Sequence, residues 1–79
     1  MKIAEFIKYS NNYFIFSFEN GIDISFEEIH PKALVKYDLK NDDLFVGKLF
    51  NLEYSESRNS KEYDINIYRI DYLELIDVN

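Results

Sequence analysis

The chain has 79 residues, no cysteine and two glycines, and its 15 acidic against 9 basic side chains give a net charge of -6. A chain of this length is expected to form one small domain, residues 1–79, without room for a separate catalytic domain. The missing cysteines exclude disulfides, thiolate metal sites and cysteine nucleophiles, and they favour a cytoplasmic location.

Three strands are predicted in the first third of the chain. Lys2 to Tyr9 contains charges that exclude a signal peptide or a membrane span, and the turn-like Ser10-Asn11-Asn12 follows it. Tyr13 to Glu19 alternates strictly, and three residues are expected on its buried face: Phe14, Phe16 and Phe18. Asn20-Gly21 favours a two-residue type I′ turn with both residues at positive φ, and Ile22 to Phe26 then alternates again. This pattern predicts a three-stranded meander.

A short helix is predicted to begin at Pro31 and to end near Tyr37. Proline fits the first turn of a helix but breaks its interior, so a helix beginning earlier is disfavoured. His30 lies directly before this proline and is expected to be structural or simply exposed rather than catalytic.

Two further strands are predicted after the helix. Leu44 to Tyr54 is the first, and Gly47 is expected to bend it. Ser55 to Glu62 is wholly polar and predicts a loop. Tyr63 to Asp77 is the second, with a bulge near Arg69 to Tyr72 because its apolar residues change phase there.

The predicted order is therefore strand, strand, strand, short helix, strand, strand. Over nearly the whole chain this order resembles that of the OB-fold, although no family motif accompanies it. The resemblance implies a mostly β protein with one short helix, in which a small curved antiparallel sheet closes into a five-stranded OB-like barrel. An SH3-like barrel and an open α+β sheet share most of the pattern. An edge strand near Glu5 to Tyr9 could pair with a second copy and form a homodimer.

Catalytic, metal-binding and cofactor-binding chemistry have few candidates. His30 is the only imidazole, and no G-x-S-x-G sequence is present, so we expect no enzyme. The pairs Glu27-Glu28 and Asp42-Asp43 lack the spacing of a calcium loop, so no metal is expected. Two glycines cannot build a phosphate-binding loop, so no cofactor is expected either.

Binding features are more numerous. Residues 9 to 31 contain four carboxylates and no lysine or arginine, and Tyr13 and Ile15 are expected to face outward beside them. Tyr68, Ile70 and Tyr72 form a second possible surface on the last strand. The predicted partner-binding residues are Tyr13, Ile15, Glu19, Asp23, Glu27, Glu28, Tyr68 and Tyr72. A simpler interpretation is that the acids only keep the chain soluble and that the outer face is covered by another element.

The preferred hypothesis is a non-enzymatic acidic protein-binding module that docks on a basic protein surface. In its sharper form the module is an inhibitor whose carboxylates imitate a nucleic-acid backbone. The alternative is an OB-like barrel that binds single-stranded nucleic acid, helped by a lysine stripe at Lys32, Lys36 and Lys40. Nucleic acid is the less favoured partner because the acidic stretch repels phosphates.

Overall fold

The computed structural model describes residues 1–59 and 65–76. In this part of the chain it has six strands, one short helix α1 and one 3-10 turn, so the prediction of a mostly β protein with one short helix is confirmed. The strands are β1 (Lys2–Ser10), β2 (Tyr13–Phe18), β3 (Asp23–Phe26), β4 (Glu28–Ile29), β5 (Leu49–Asn59) and β6 (Ile65–Leu75). The helix α1 spans Pro31–Lys36, and the 3-10 turn spans Asp43–Phe45.

All six strands form one sheet in the order β3-β2-β1-β5-β6-β4. Every pairing is antiparallel except that of β4 with β6. Closure into a five-stranded barrel is not confirmed, and the open-sheet alternative describes the observed hydrogen bonding more closely. Strand β1 lies between β2 and β5, and its residues up to Phe6 bond to the β5 side, so the first part of the edge predicted near Glu5 to Tyr9 is covered. Among the described residues, Lys8 to Ser10 pair with β2 alone, so the second part of that edge is open.

Strands β3 and β4 lie at opposite edges of the sheet although only Glu27 separates them in sequence. Two residues that flank a single residue have Cα atoms about 7 Å apart at most, so the two edges must approach each other at this point. The sheet therefore curls strongly and encloses its inner face.

The two hairpins of the meander are present, and the turn predicted at Ser10-Asn11-Asn12 is confirmed, whereas the second turn differs from the prediction. Asn11 and Asn12 both have positive φ, 53° and 68°, and join Ser10 to Tyr13 as a two-residue turn of the type I′ kind. In the second hairpin only Gly21 has positive φ, at 82°, and its N–H donates to the Phe18 carbonyl at 2.9 Å. This is a three-residue loop that ends in a left-handed glycine, so the predicted type I′ turn at Asn20-Gly21 is wrong.

A bulge at Ile7 sets the direction of the first half of β1. Pairing with β2 shifts between Phe6 and Lys8, so that Phe6 faces Phe16 and Glu5 faces Ser17. Without this extra residue, Phe6 would lie on the outer face and Glu5 on the inner one.

The core consists mainly of phenylalanine rings on the inner face, with Phe16 at its centre. Phe16 is completely buried, and its ring centroid lies 5.2 Å from Phe6, 5.8 Å from Phe26 and 6.0 Å from Phe50. The helix covers one end of this core through Tyr37, whose ring lies 5.4 Å from Phe50. The Tyr37 hydroxyl accepts a hydrogen bond from the Leu75 N–H at 3.0 Å and so ties the end of the helix to β6.

The last two strands differ from the predictions mainly at their ends. Strand β5 begins only at Leu49, because the chain first makes the 3-10 turn and then bends at Gly47, where φ is 83°. Residues 55–59 belong to β5 rather than to a loop, and the rest of the predicted loop lies outside the described residues. The predicted bulge in β6 is confirmed, since the register skips Asp71 between Ile70 and Tyr72. Tyr63 and Asp77, the predicted ends of the strand, lie outside the described residues.

We expect Gly21→Ala to lower the free energy of unfolding by about 1–2 kcal/mol, the cost of a left-handed conformation for a residue with a Cβ. A Cβ at this position would meet no atom within 4 Å, so the loss is conformational rather than steric. Asn12→Gly, also at a positive φ, should stay within about 0.5 kcal/mol of the wild type. Urea unfolding of both variants tests this, and an unchanged Gly21→Ala variant would contradict the loop geometry.

Candidate functional site

An open groove of about 510 Å³ runs along the edge of β3 and is called the edge groove below. Residues from both faces of β3 line it, because it follows the side of the strand that does not pair with β2. Its lining residues are Tyr13, Ile22, Asp23, Ile24, Ser25, Glu27 and Tyr68. Two of these seven are acidic, and none of the described lining residues is a lysine or arginine.

Tyr13 and Glu27 meet at one end of the edge groove. The Tyr13 hydroxyl donates to the Glu27 Oε1 atom at 3.3 Å, and the Tyr13 side chain is 37% exposed. Two residues further along β2, Ile15 lies on the same outer face, opposite Ser25 of β3. An aromatic ring and an aliphatic side chain are thus placed beside a carboxylate on one accessible surface.

A polar row crosses the outer face at the other end of the groove. The register places Glu5 of β1 opposite Ser17 of β2, and Ser17 opposite Asp23 of β3. Glu5 therefore belongs to the same acidic face, although its position in the sequence gave no reason to group it with Asp23. Only the Ile7 bulge brings it there. Lys8 of β1 lies opposite Ile15, on the side of β2 away from the groove.

Two of the predicted acidic binding residues, Glu19 and Glu28, lie elsewhere. Glu19 is in the β2–β3 loop and lines a separate groove with Lys2. Glu28 of β4 pairs with Arg69 and shares a third groove with Lys40. The structure therefore brings Tyr13, Ile15, Asp23 and Glu27 together. Glu27 lies at the junction of the edge groove and the third groove, whereas Glu28 lines only the third groove, among side chains of both charges.

The second predicted surface, made of Tyr68, Ile70 and Tyr72, is not one face. Ile70 is completely buried, and Tyr68 is half-buried with its ring 6.3 Å from Phe26 and 6.2 Å from Tyr54. Tyr72 lies on the outer face and is 40% exposed. The bulged residue Asp71 separates the two environments, because an extra residue reverses the direction of the side chains that follow. Of the three, only Tyr68 reaches the edge groove.

The lysine stripe required a helix long enough to include Lys40, and this condition is not met because α1 ends at Lys36. Lys40 follows the helix, and its Nζ atom lies 5.7 Å from the Tyr9 ring and 6.0 Å from the Phe14 ring. Lys36 lies over the ring of Tyr37 instead, at 5.4 Å. These ammonium groups cover aromatic side chains rather than line one face of a helix.

His30 has the structural place expected at the start of the helix. The Nδ1 atom of its side chain accepts a hydrogen bond from the Lys32 N–H at 3.1 Å and so caps α1. The backbone N–H of His30 donates to the Ile70 carbonyl at 2.9 Å. Among residues 1–59 and 65–76, no group of three or more His, Asp or Glu side chains is placed to hold a metal ion. Nor does this part of the chain contain a helix with the length and apolar character needed to cross a membrane.

Ile22, Ile24 and Ser25 line the edge groove but are absent from the predicted binding residues. Ile22 is 55% exposed because it directly follows the loop glycine, where β3 has not yet begun. No family model matches the chain, and no similar protein was found among the curated proteins or the solved structures. Function is therefore inferred from the geometry of these residues.

The pKa of Tyr72 provides a test of the hydrogen bond between Tyr72 and Glu74 on the outer face of β6. Its hydroxyl donates to the Glu74 carboxylate, and this hydrogen bond is the main reason that the pKa of Tyr72 is raised above its usual value of 10.0. We expect Glu74→Gln to lower that pKa, because the ionised phenol would no longer lie beside a carboxylate. Glu53→Gln removes a weaker charge effect and should lower it less.

The measurement is a pH titration of the protein labelled with ¹³C at the tyrosine Cζ, with Tyr72→Phe used to assign the resonance. Equal effects of the two substitutions would contradict the hydrogen bond to Glu74.

Proposed function

We propose that this chain is a non-enzymatic protein-binding module whose acidic face docks on a protein with a basic surface. The observation that carries the proposal is the edge groove, where Tyr13, Asp23 and Glu27 converge without a lysine or arginine among the described lining residues. The absence of cysteine fits a module that works in the cytoplasm.

Each group in the edge groove has a role in such an interface. The carboxylates of Asp23 and Glu27 increase the association rate with a basic partner and disfavour acidic ones. The Tyr13 ring combines a large contact area with a polar hydroxyl, which is why tyrosine is enriched in binding hot spots. Ile15 adds apolar area on the same face.

An inhibitory role is the sharper form of this proposal. Carboxylates that imitate phosphates would block the nucleic-acid site of a basic enzyme. Glu5, Asp23 and Glu27 support that form because they share one face, whereas Glu28 does not contribute because it lies beside Arg69.

Binding of single-stranded nucleic acid is the second candidate, and the strand order favours it. If β3 and β4 are counted as one strand interrupted at Glu27, the chain has five strands with α1 between the third and the fourth, which resembles an OB-like barrel. OB-folds bind ligands on the face of their second and third strands. Here that face carries Asp23, which repels phosphates, so we prefer the protein partner.

Charge reversal tests the preferred function. We expect Asp23→Lys with Glu27→Lys to reduce partner capture from a lysate of the source organism at least 10-fold, by replacing attraction with repulsion. The matched control is Asp43→Lys with Glu53→Lys, which changes the net charge equally at two exposed sites outside the edge groove. Capture is measured by quantitative mass spectrometry, with and without nuclease.

Equal losses in the two double variants would mean that only net charge matters, and would contradict a localised site. A basic nucleic-acid enzyme among the captured proteins would favour the inhibitory form.

A titration with single-stranded oligonucleotides separates the two candidates. The preferred function predicts no shift of the Tyr13 and Lys36 resonances at low salt, because the carboxylates repel phosphates. Clear shifts that weaken as salt is added, together with loss of capture after nuclease treatment, would favour nucleic-acid binding instead.

A further inference from the structure

The backbone N–H and C=O groups of successive residues in β3 point alternately toward β2 and toward the edge groove. The Phe18 N–H donates to the Ile22 carbonyl at 2.9 Å, so these two residues form a hydrogen-bonded pair. In an antiparallel ladder such pairs occur at every second residue, so Ile24 and Phe26 also bond to β2. The N–H and C=O groups of Asp23 and Ser25 therefore point away from β2.

On that side the structure shows a single link to β6. The Glu27 N–H donates to the Tyr68 carbonyl at 3.1 Å, and among residues 1–59 and 65–76 no other backbone hydrogen bond joins β3 to β6. Within the described residues the two strands thus meet at Glu27, and neither Ser25 nor Asp23 is paired with β6. Two residues of β3 present donors and acceptors to the groove, which is the arrangement that an added strand uses.

The side chains around this edge indicate which strand would fit. On the outer side lie Asp23, Glu27 and Tyr13, and on the inner side lie Ile24 and the half-buried Tyr68. Successive side chains of a strand point to opposite faces. A strand placed here would direct alternate side chains toward the carboxylates and the others toward Ile24 and Tyr68.

We propose that the edge groove accepts one extended segment of the partner protein, paired through its backbone with Asp23 and Ser25 and carrying basic and apolar side chains in alternation. This inference rests on the proposed function and names the form in which the basic partner binds. A second copy of this chain does not fit, because its own β3 edge would bring Asp23 and Glu27 against the same acids.

The test uses the full chain labelled with ¹⁵N and two synthetic probes. One is a nine-residue peptide of alternating lysine and valine, and the other is the same peptide with every backbone amide methylated, which keeps the charge and removes the donors. We expect the first peptide at saturation to slow hydrogen exchange at the Asp23 and Ser25 amides at least 10-fold. The methylated peptide should bind at least 10-fold more weakly and protect neither amide.

Ser25→Pro provides a second arm on the protein side. It removes an N–H that points into the groove, whereas the ladder between β2 and β3 uses Ile24 and Phe26 and keeps its bonds. We expect the variant to keep its fold and to lose at least 10-fold in affinity for the unmethylated peptide. If it does not fold, the comparison of the two peptides decides alone.

The outcomes separate this inference from the proposed function. Equal binding of both peptides, without protection of Asp23 and Ser25, would overturn the added strand and leave the acidic docking face standing. Slow exchange of both amides in the free protein would show that the edge is already covered, and would also overturn it. If neither peptide binds and Asp23→Lys with Glu27→Lys captures the same proteins as the wild type, both proposals are wrong.

Discussion

The single residue between β3 and β4 determines the shape of this molecule. Because Glu27 connects strands at opposite edges of a six-stranded sheet, the sheet must curl until those edges approach. The curl surrounds Phe16 with rings from three other strands and gives this short chain an enclosed core. A flat sheet of the same strands would leave one face of these rings exposed to water. That part of their surface would then add nothing to the stability of the fold.

The same connection through Glu27 also leaves backbone groups and a carboxylate accessible at the edge of β3. At Glu27 the two edges touch, and beyond it the side of β3 that carries Asp23 has no backbone partner in the part of the chain that the structure describes. Exposed strand edges attract unwanted pairing, and natural proteins often protect them with charge. If the proposed function holds, the Asp23 carboxylate has two effects, since it repels acidic copies of the same edge and favours a basic segment. Backbone hydrogen bonding and selection by charge would then occur at one place.

The alternating phenylalanines of β2 and the phase change in β6 were sufficient to predict the first hairpins and the bulge at Asp71. Other features depend on which strands become neighbours in the sheet, and the order of the strands in the sequence does not show this. The Ile7 bulge is set by pairing with two neighbouring strands, and it alone brings Glu5 onto the acidic face. Residues 55–59 are polar yet form a strand, because pairing with β6 satisfies their backbone whatever their side chains. Tyr68 was placed on the wrong face because the position of the bulge decides the phase of the strand on each side of it.

The strand order also has a consequence for how the protein is made. Strand β1 pairs with β5, and β6 both covers the core and pairs with β4. A ribosome releases the phenylalanine-rich meander before the strands that cover it. The nascent chain therefore displays an uncovered aromatic face until β5 and β6 have emerged, and its native sheet assembles only after that point. In a crowded cell this interval is the period in which a chaperone has most to protect.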